Sequence, residues 1–287
     1  MVKTMLDDFC IFILSHGRPE NVITLKTILK AGYTGDYYII IDNEDKTADR
    51  YYELFGDRII MFDKKAVAET FDEAGNFEDR RSVVYARNAC FDIAKEIGVT
   101  YFMELDDDYT HFAYQMDNNY EAKFTMVRKS LDKLIGFMLE YYKSIPAKSI
   151  AMSQGGDWVG GIVNDIDKNI NRRRKCMNTF FCSTQRPFQF VGRINEDVNT
   201  YTWYQSMGNL FITYPIIRVQ QVETQGNTGG MTELYLDSGT YVKSFYTVLF
   251  MPSSVTVGIM QSRHKRLHHM VKWDNTVPCI IQEKYRK

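Results

Sequence analysis

Three consecutive aspartates stand directly after a stretch that has the composition of a buried strand. Residues 99–105 are mostly β-branched, aromatic or apolar, and the aspartates at 106–108 follow them. Because Asp is rare in strands, the first aspartate marks the point where the predicted strand leaves the sheet. Three adjacent carboxylates repel one another, and a divalent cation bound through oxygen removes that repulsion. The alternative is an acidic, solvated loop that only ends the strand.

Alternation along an extended backbone divides the three aspartates into two groups. Alternate side chains point to the same side, so Asp106 and Asp108 are candidate ligands of one Mg²⁺ or Mn²⁺ ion. Asp107 points elsewhere, and a ribose or sugar hydroxyl is its candidate partner. A metal held by the pair would have a defined use, since it neutralises the diphosphate that leaves when a nucleotide-sugar reacts.

Further polar residues stand at the ends of other predicted strands. Ser15 and Arg18 follow a predicted strand at 9–14, and Asp42 follows one at 37–41. The loop with Ser15 and Arg18 leads into a predicted helix, whose free backbone N–H groups favour an anion. Because ligands of parallel α/β sheets bind at the carboxyl ends of the strands, these residues are expected beside the aspartates. For Asp42 the alternative is a turn-forming role.

Predicted helices carry three more candidate groups. Arg87 lies within a predicted helix at 83–97, where it either reaches a phosphate or sugar or remains a surface side chain. Asn88 beside it has no propensity reason to stand in mid-helix, so its side chain is expected either to bond a loop or to make a local bond. Glu196 and Asp197 open a predicted helix at 196–207, for which Asn195 is the candidate cap. Either the helix dipole alone accounts for these two acids, or one of them is a base that takes a proton from an acceptor hydroxyl.

Histidines and basic residues cluster in the second half of the chain. His268 and His269 stand in a basic stretch, and imidazole is a good third ligand for Mn²⁺ beside carboxylates. Surface histidines are the alternative. A separate basic run comprises Arg172, Arg173, Arg174 and Lys175. Such a run is either a solvated face or a contact for a phosphate backbone, whereas the net charge of -1 by itself predicts no nucleic-acid or membrane partner.

The composition predicts a folded cytoplasmic protein. Hydrophobic residues make up 45% of the 287 residues, enough for a sizeable core. The five Cys are odd in number and lack paired metal-site spacings, so reduced thiols are expected. No signal-peptide pattern is present at the N-terminus, and the apolar run at 9–14 is too short to span a membrane. The sequence gives no indication of the oligomeric state.

Strand and helix patterns alternate through the first part of the chain. This predicts an α/β fold with a mostly parallel, Rossmann-like central sheet flanked by helices. The second part is less regular, with predicted helices at 124–142 and 231–250 and predicted strands at 188–191, 210–214 and 216–222. A mixed or antiparallel arrangement is therefore expected there. No repeat or linker divides the chain, which predicts one domain over residues 1–287.

Six short motifs, in this order along the chain, resemble those of the TET-associated glycosyltransferase family. They are SHGRP at 15–19, YARNAC at 85–90, LDDDYT at 105–110, TGGMT at 228–232, DSGTYVKSFY at 237–246, and HH at 268–269 followed by Trp273 and Val277-Pro278. The resemblance extends from residue 9 to the end. An Asp-x-Asp alone is weak evidence, whereas the ordered set is specific.

The resemblance implies a GT-A fold, which is the fold of nucleotide-diphospho-sugar transferases. It implies a nucleotide-binding half at residues 1–115 and an acceptor-binding half with a metal-site tail at 116–287. It also implies a UDP-sugar donor and a Mn²⁺ or Mg²⁺ ion. Asp106 and Asp108 would hold the metal, with His268 or His269 as the third ligand.

The same resemblance implies roles for the other candidates. The residues implied to line the nucleotide-sugar site are Ser15, Arg18, Asp42, Arg87, Asp106 and Asp107, with Gly229 and Gly230 shaping the pocket for the sugar or acceptor. Glu196 and Asp197 occupy the place where many GT-A enzymes keep the acceptor base, and Asp197 is favoured of the two.

The implied acceptor is the hydroxyl of 5-hydroxymethylcytosine or 5-hydroxymethyluracil in double-stranded phage DNA, in the cytoplasm of the infected bacterium. Three alternatives remain: a protein or small-molecule acceptor, a nucleotidyltransferase with a similar sheet and metal, and a non-catalytic DNA- or protein-binding module. The sequence does not name the sugar, nor does it distinguish inversion from retention.

Overall fold

One nine-stranded sheet runs through the middle of the protein. The computed structural model describes residues 6–75, 79–117, 122–154, 176–222, 240–260 and 265–276. The strands of the large sheet are β1 (Phe9–Leu14), β2 (Asp36–Asp42), β3 (Ile59–Phe62), β4 (Tyr101–Asp106), β5 (Tyr109–Met116), β6 (Ala122–Met126), β7 (Ala147–Ser153), β8 (Thr179–Ser183) and β9 (Leu210–Gln221). Their order across the sheet is β3-β2-β1-β4-β8-β7-β9-β5-β6. A second, two-stranded sheet consists of β10 (Val255–Met260) and β11 (Arg266–Val271).

Helices cover both faces of the large sheet. They are α1 (Ile23–Lys30), α2 (Ala48–Phe55), α3 (Lys64–Ala68), α4 (Val84–Glu96), α5 (Leu131–Ser144), α6 (Glu196–Ser206), α7 (Thr240–Phe250) and α8 (Trp273–Thr276). Ile11 and Ile13 of β1 lie in a core shared with α1 and α5, whereas Cys10 and Phe12 lie in one shared with α4 and α6. Every residue of β1 is buried, as expected for a parallel strand covered on both faces. The predicted α/β class is confirmed.

Strand direction differs between the two parts of the sheet. β1 to β4 are mutually parallel, whereas β8 is antiparallel to β4 and β5 is antiparallel to β9. The predicted parallel first part and mixed second part are therefore both observed, within one continuous sheet. Leu14 pairs with Ile40 on one side and with Asp106 on the other, so β1, β2 and β4 end at the same edge. We call this edge, with the loops that follow the three strands, the carboxyl edge.

The predicted helix at 124–142 begins too early. Residues 122–126 form the edge strand β6, and α5 begins only at Leu131. The apolar residues Phe124 and Met126 continue the helical pattern of α5 in the sequence, but in the structure they pair with β5 through Ala113 and its neighbours. Pairing with an available sheet edge has overridden the local periodicity here.

Two predicted strands are in fact one. β9 passes through Pro215, which cannot donate to the ladder, and the pairing with β7 shifts at this point from Tyr214 to Arg218. Ser153 compensates for the break, since its hydroxyl donates to the carbonyl oxygens of Pro215 (3.3 Å) and Ile217 (2.8 Å). A proline within a strand is tolerated at such an irregularity.

Other differences concern short elements. The predicted strand at 188–191 is irregular backbone, while α3 and the β10–β11 hairpin were not predicted. Asp63 caps α3, accepting a hydrogen bond from the backbone N–H of Ala66 at 2.9 Å. Of the predicted helix at 231–250, the described part is α7. No helix among the described residues is long and apolar enough to cross a membrane.

Candidate active site

Asp107 ties the end of β4 to the loop that follows β1. The Ser15 hydroxyl donates to one carboxylate oxygen at 2.5 Å, and the Arg18 guanidinium contacts the other at 2.9 Å. Tyr51 of α2 supports both partners, because its hydroxyl lies 2.7 Å from the Ser15 hydroxyl and accepts the backbone N–H of Arg18 at 3.0 Å. The predicted proximity of Ser15, Arg18 and Asp107 is therefore observed.

Burial leaves Asp107 no open face toward a ligand. Its carboxylate is buried and engaged on both oxygens by protein groups. This burial raises the pKa of Asp107 to about 6, although Arg18 and Ser15 act in the opposite direction. The expectation that Asp107 contacts a sugar hydroxyl therefore does not fit its surroundings. Its observed contacts hold the loop that carries Arg18.

Asp42 lies at the end of β2 in a group of charged side chains. Nδ1 of His16 is 2.7 Å from one of its oxygens, and Nζ of the buried Lys64 is 3.3 Å from the other. The backbone N–H of Glu44 donates to the same carboxylate. Burial opposes ionisation, but the His16 hydrogen bond and the Lys64 charge outweigh it and lower the pKa of Asp42.

His16 and Lys64 are site residues that sequence reasoning missed. His16 was visible in the sequence as a polar residue in the predicted strand-to-helix loop after β1. Lys64 gave no such signal, because it stands in a charged segment and nothing in the local sequence distinguishes it from a surface lysine. Of this group His16 is the most exposed, whereas Asp42 is buried. A ligand approaching from solvent would therefore meet His16 before Asp42.

Arg87 of α4 is the buried centre of a second ionic cluster. Its guanidinium contacts Asp106 at 2.9 Å, Glu196 at 3.2 Å and Glu104 at 3.5 Å, and the residue is only 1% exposed. Burial alone would lower the pKa of Arg87, but the three carboxylates raise it above its usual range. The structure places Arg87 among acidic side chains and not on an open surface, so its contacts position carboxylates.

The carboxylates around Arg87 outnumber their cation. Burial, partly offset by Arg87, raises the pKa of Glu104 to about 8. Burial and the neighbouring Asp197 raise the pKa of Glu196 to about 7. Three ionised acids around one guanidinium would leave a net charge of roughly minus two in a water-poor interior, which is unfavourable. These shifted pKa values are the consequence.

Glu196 and Asp197 form the first turn of α6, as predicted. Both are buried, and Oδ1 of Asp197 accepts the backbone N–H of Val198 at 2.7 Å. The predicted cap, Asn195, instead donates to the carbonyl oxygen of Lys243 in α7 at 2.6 Å and makes no capping hydrogen bond. Arg87 thus links the acidic end of β4 to the acidic start of α6.

The carboxylates at the end of β4 fit a divalent cation. Asp106 and Asp108 offer oxygen ligands, which Mg²⁺ and Mn²⁺ prefer. Asp108 makes no ion pair with any residue in the described part of the chain, and burial together with the repulsion of Asp106 and Asp107 raises its pKa to about 7. A cation would relieve this repulsion. Mg²⁺ sites commonly use one or two carboxylates and complete the shell with water and substrate phosphates.

The predicted histidine ligand is not assembled with these aspartates. His268 and His269 lie on β11, which pairs with β10 and packs against α7. Within the described ranges, no group of three or more His, Cys, Asp or Glu side chains is placed to hold a metal ion. The aspartate and histidine parts of the predicted ligand set therefore both remain predictions.

Several predicted site residues lie outside the described residues. They are Gly229 and Gly230 and the basic run of Arg172, Arg173, Arg174 and Lys175. The segments that contain them begin after Gln154, which follows β7, and after Val222, which follows β9. Their predicted roles remain predictions.

Comparison with known proteins identifies the family. The family model described as TET-Associated Glycosyltransferase matches residues 9–230. The chain belongs to this family. The match includes the carboxyl edge, Arg87 and the first turn of α6, and the protein is accordingly a glycosyltransferase. No curated protein matches the chain in sequence.

Solved structures with similar folds include a glucosyl-3-phosphoglycerate synthase from Mycobacterium tuberculosis. Its complex with Mn²⁺, uridine-diphosphate and phosphoglyceric acid is 9% identical, with a TM-score of 0.46 over 94% of this chain and 91% of that chain. The complex with Mn²⁺, uridine-diphosphate and glucosyl-3-phosphoglycerate gives 8% identity and a TM-score of 0.47 over the same shares. The structure of a mycobacterial protein has 8% sequence identity and a TM-score of 0.44, over 94% of this chain and 88% of that chain.

Proposed function

We propose that this glycosyltransferase moves one sugar from a UDP-sugar to the hydroxyl of a 5-hydroxymethylpyrimidine in DNA, with a bound Mn²⁺ or Mg²⁺. The observation that carries the proposal is the carboxyl edge itself. Three aspartates end β4 there, an ordered cationic loop follows β1, and two buried acids open α6 across Arg87. Family membership supplies the class of reaction, and the resemblance described above supplies the acceptor.

The loop after β1 supports binding of a diphosphate. Arg18 is held by Asp107, yet its Nε is buried without a hydrogen-bond partner among the described residues. A buried donor of this kind is costly unless a ligand accepts from it, and a phosphate oxygen is a suitable acceptor. Asp107 fixes the direction of the guanidinium before the donor arrives, which reduces the entropy lost on binding.

Asp106 and Asp108 would hold the metal, whose charge would stabilise the departing diphosphate. Arg87 contacts Asp106 and Glu196 and so keeps the metal-binding and acceptor sides at a fixed separation. Asp197 is the proposed base. In the reaction the acceptor oxygen bonds to the anomeric carbon, the bond from that carbon to the diphosphate oxygen breaks, and the hydroxyl proton passes to the Asp197 carboxylate.

The test is incubation with a panel of UDP-sugars and duplex DNA that carries 5-hydroxymethylcytosine or 5-hydroxymethyluracil, followed by nucleoside mass spectrometry. We expect a hexose or pentose added to the modified base, with release of UDP and loss of activity on chelation. Asp197→Asn should retain UDP binding and lose transfer by at least about a hundredfold, as expected for a general base.

Other products would redirect the assignment. Release of pyrophosphate would identify a nucleotidyltransferase instead. Transfer to a protein or small hydroxyl compound, with DNA inert, would retain the transferase and reject the DNA acceptor. Full activity of Asp197→Asn would remove it as the base.

A further inference from the structure

A half-exposed group of aromatic and cationic side chains lies on the second part of the large sheet. Phe124 of the edge strand β6 is 48% exposed. The guanidinium carbon of Arg218 in β9 lies 5.3 Å from the centre of the Phe124 ring, and the His111 ring of β5 meets it nearly perpendicularly at 5.6 Å. Three neighbouring strands thus bring these side chains to one surface, which we call the aromatic platform.

The aromatic platform is cationic and has unused hydrogen-bonding capacity. Arg218 forms no ion pair within the described ranges, and its Nε is buried there without a hydrogen-bond partner. Its other described contact is with the neutral Gln220 side chain. Lys123 and Arg128, both exposed, flank Phe124 along the chain. Burial and the Arg218 charge together lower the pKa of His111.

The aromatic platform adjoins the carboxyl edge. β5 begins immediately after Asp108, and His111 follows three residues later, about 10 Å along an extended strand. The end of β9 is attached to the same aspartate, because the backbone N–H of Val222 donates to the carbonyl oxygen of Asp108 at 3.1 Å. The His111 end of the aromatic platform therefore lies next to the proposed centre of sugar transfer, and Phe124 lies farther along the sheet, since its neighbour Thr125 pairs with Tyr114.

We propose that the aromatic platform binds an unpaired nucleobase of the DNA acceptor strand, with its neighbouring phosphates on the flanking basic residues. This inference rests on the proposed function, whose DNA-contacting residues it supplies. Every base has a π-face that stacks on an aromatic ring or a guanidinium plane, and its backbone is anionic. A peptide partner would account for the aromatic contact but not for a cationic surface without paired carboxylates.

An unpaired base also meets the geometric need of the reaction. A hydroxymethyl group inside a duplex has to leave the base stack before an enclosed active site can reach it. A stacking surface that begins at His111, about 10 Å from the catalytic edge, would hold a base of the opened strand and offset part of the lost stacking within the DNA.

The decisive variants are Phe124→Ala and Phe124→Trp, compared by fluorescence anisotropy with a labelled single-stranded oligonucleotide that contains 5-hydroxymethylcytosine. We expect Phe124→Ala to weaken binding about tenfold, as for the loss of one stacked base, and Phe124→Trp to retain it. The matched control is Phe137→Ala on α5, because Phe137 is equally exposed (52%) and also contacts an aromatic ring, that of Tyr214. This control should leave binding unchanged.

A second measurement addresses the phosphates. The double variant Lys123→Gln, Arg128→Gln should reduce the slope of log affinity against log salt by about 0.7 for each lost contact. Lys65→Gln, Lys95→Gln removes the same charge from exposed positions on α3 and α4, which pack beside β1 to β4 at the other end of the sheet, and should leave the slope unchanged.

Each outcome has a defined meaning. The proposal is overturned if wild type does not bind the oligonucleotide at low salt, if Phe124→Ala binds as tightly as wild type, or if Phe137→Ala weakens binding equally. Calorimetry with UDP and Mn²⁺ on the same variants separates this failure from failure of the proposed function. Donor binding should persist in Phe124→Ala, and its absence from wild type would count against the glycosyl-donor site instead.

Discussion

At the scale of single residues, Arg87 shows how one buried cation organises a site. Its guanidinium is the common partner of Glu104 and Asp106 on β4 and of Glu196 on α6. Removing it would leave three carboxylates in a buried region without their cation. Loss of one partner from a buried ion pair is strongly destabilising because the other charge stays desolvated.

We therefore expect Arg87→Gln to lower the free energy of unfolding by about 3 to 5 kcal/mol at neutral pH, measured by urea denaturation. Arg58→Gln is the control, since Arg58 is more exposed and its one described ion pair is with the exposed Asp36, beside contacts with Tyr37 and the Tyr38 ring. Its cost should stay below about 1 kcal/mol. Equal effects of the two substitutions would show that the cluster around Arg87 is no stronger than a surface pair.

Glu196 gives the protein a pH dependence of stability. Burial raises its pKa from 4.5 to about 7 in the folded state, so the folded protein holds a proton that the unfolded chain releases. Between these values, stability falls as pH rises, because the folded state binds more protons. Glu196→Gln removes this titration.

We expect Glu196→Gln to match wild type near pH 5 and to be more stable by at most roughly 3 kcal/mol at pH 8. Thermal and urea unfolding at several pH values will measure the difference. Glu140→Gln on α5, where the side chain is exposed, should change little at either pH. If the difference in stability between wild type and Glu196→Gln stayed constant from pH 5 to pH 8, this carboxyl would be ionised throughout that range in the folded protein.

At the scale of elements, sequence patterns predicted buried strands better than strand partners. β1 and β4 are recognisable because parallel strands covered on both faces are continuously apolar. β6 was assigned to a helix, since apolar spacing does not reveal a free sheet edge. β9 was divided at Pro215 because the compensating hydroxyl of Ser153 is distant in sequence. Contacts with residues distant in the sequence therefore determine the bounds of a strand where local periodicity fits both a strand and a helix.

The same limit applies to the site. The aspartates of β4 were predictable because a strand that ends in carboxylates is visible locally. Their individual contacts were not, since Arg18 reaches Asp107 and Arg87 reaches Asp106 only after three separate elements are packed. Asn88 is an intermediate case. Helix propensity does not explain an asparagine in the middle of a helix, so a side-chain hydrogen bond to a loop was one expectation. The structure shows such bonds, from Asn88 to the backbone of Phe190.

Asn88 anchors the irregular segment that replaces the predicted strand at 188–191. Its side chain donates to the carbonyl oxygen of Phe190 at 2.9 Å and accepts the N–H of the same residue at 2.8 Å. We expect Asn88→Ala to cost about 1 to 3 kcal/mol in urea unfolding, because both backbone groups would lose buried partners. Alanine is the better helix former, so propensity alone predicts the opposite sign.

Asp92→Ala on the same helix is the matched control. Asp92 is exposed and pairs only with Lys95 within one turn, so the gain in helix propensity is similar and the lost contact is weak. Its stability should be within about 0.5 kcal/mol of wild type. If Asn88→Ala were also as stable as wild type, the backbone N–H and carbonyl oxygen of Phe190 would have to find other hydrogen-bond partners in the variant.

At the scale of the whole molecule, charge is balanced in total but not locally. The chain has 35 basic and 36 acidic residues, yet the carboxyl edge gathers Asp106, Asp107 and Asp108 within one turn. Each of the three contributes to the repulsion at this end of the sheet, and burial prevents water from screening it. We therefore expect a bound cation to stabilise the fold, so that ligand binding and stability are coupled.

This coupling is testable through Asp108→Asn. Without metal the variant should unfold at a higher temperature than wild type at pH 8, because one of three mutually repelling charges is gone. With Mn²⁺ and UDP at a hundred times their Kd, wild type should gain about 2.7 kcal/mol and the variant much less. Asp57→Asn, an exposed acid beyond α2, should behave as wild type in both conditions. Differential scanning fluorimetry will measure these shifts, and an equal Mn²⁺-dependent gain in Asp108→Asn would exclude Asp108 as a metal ligand.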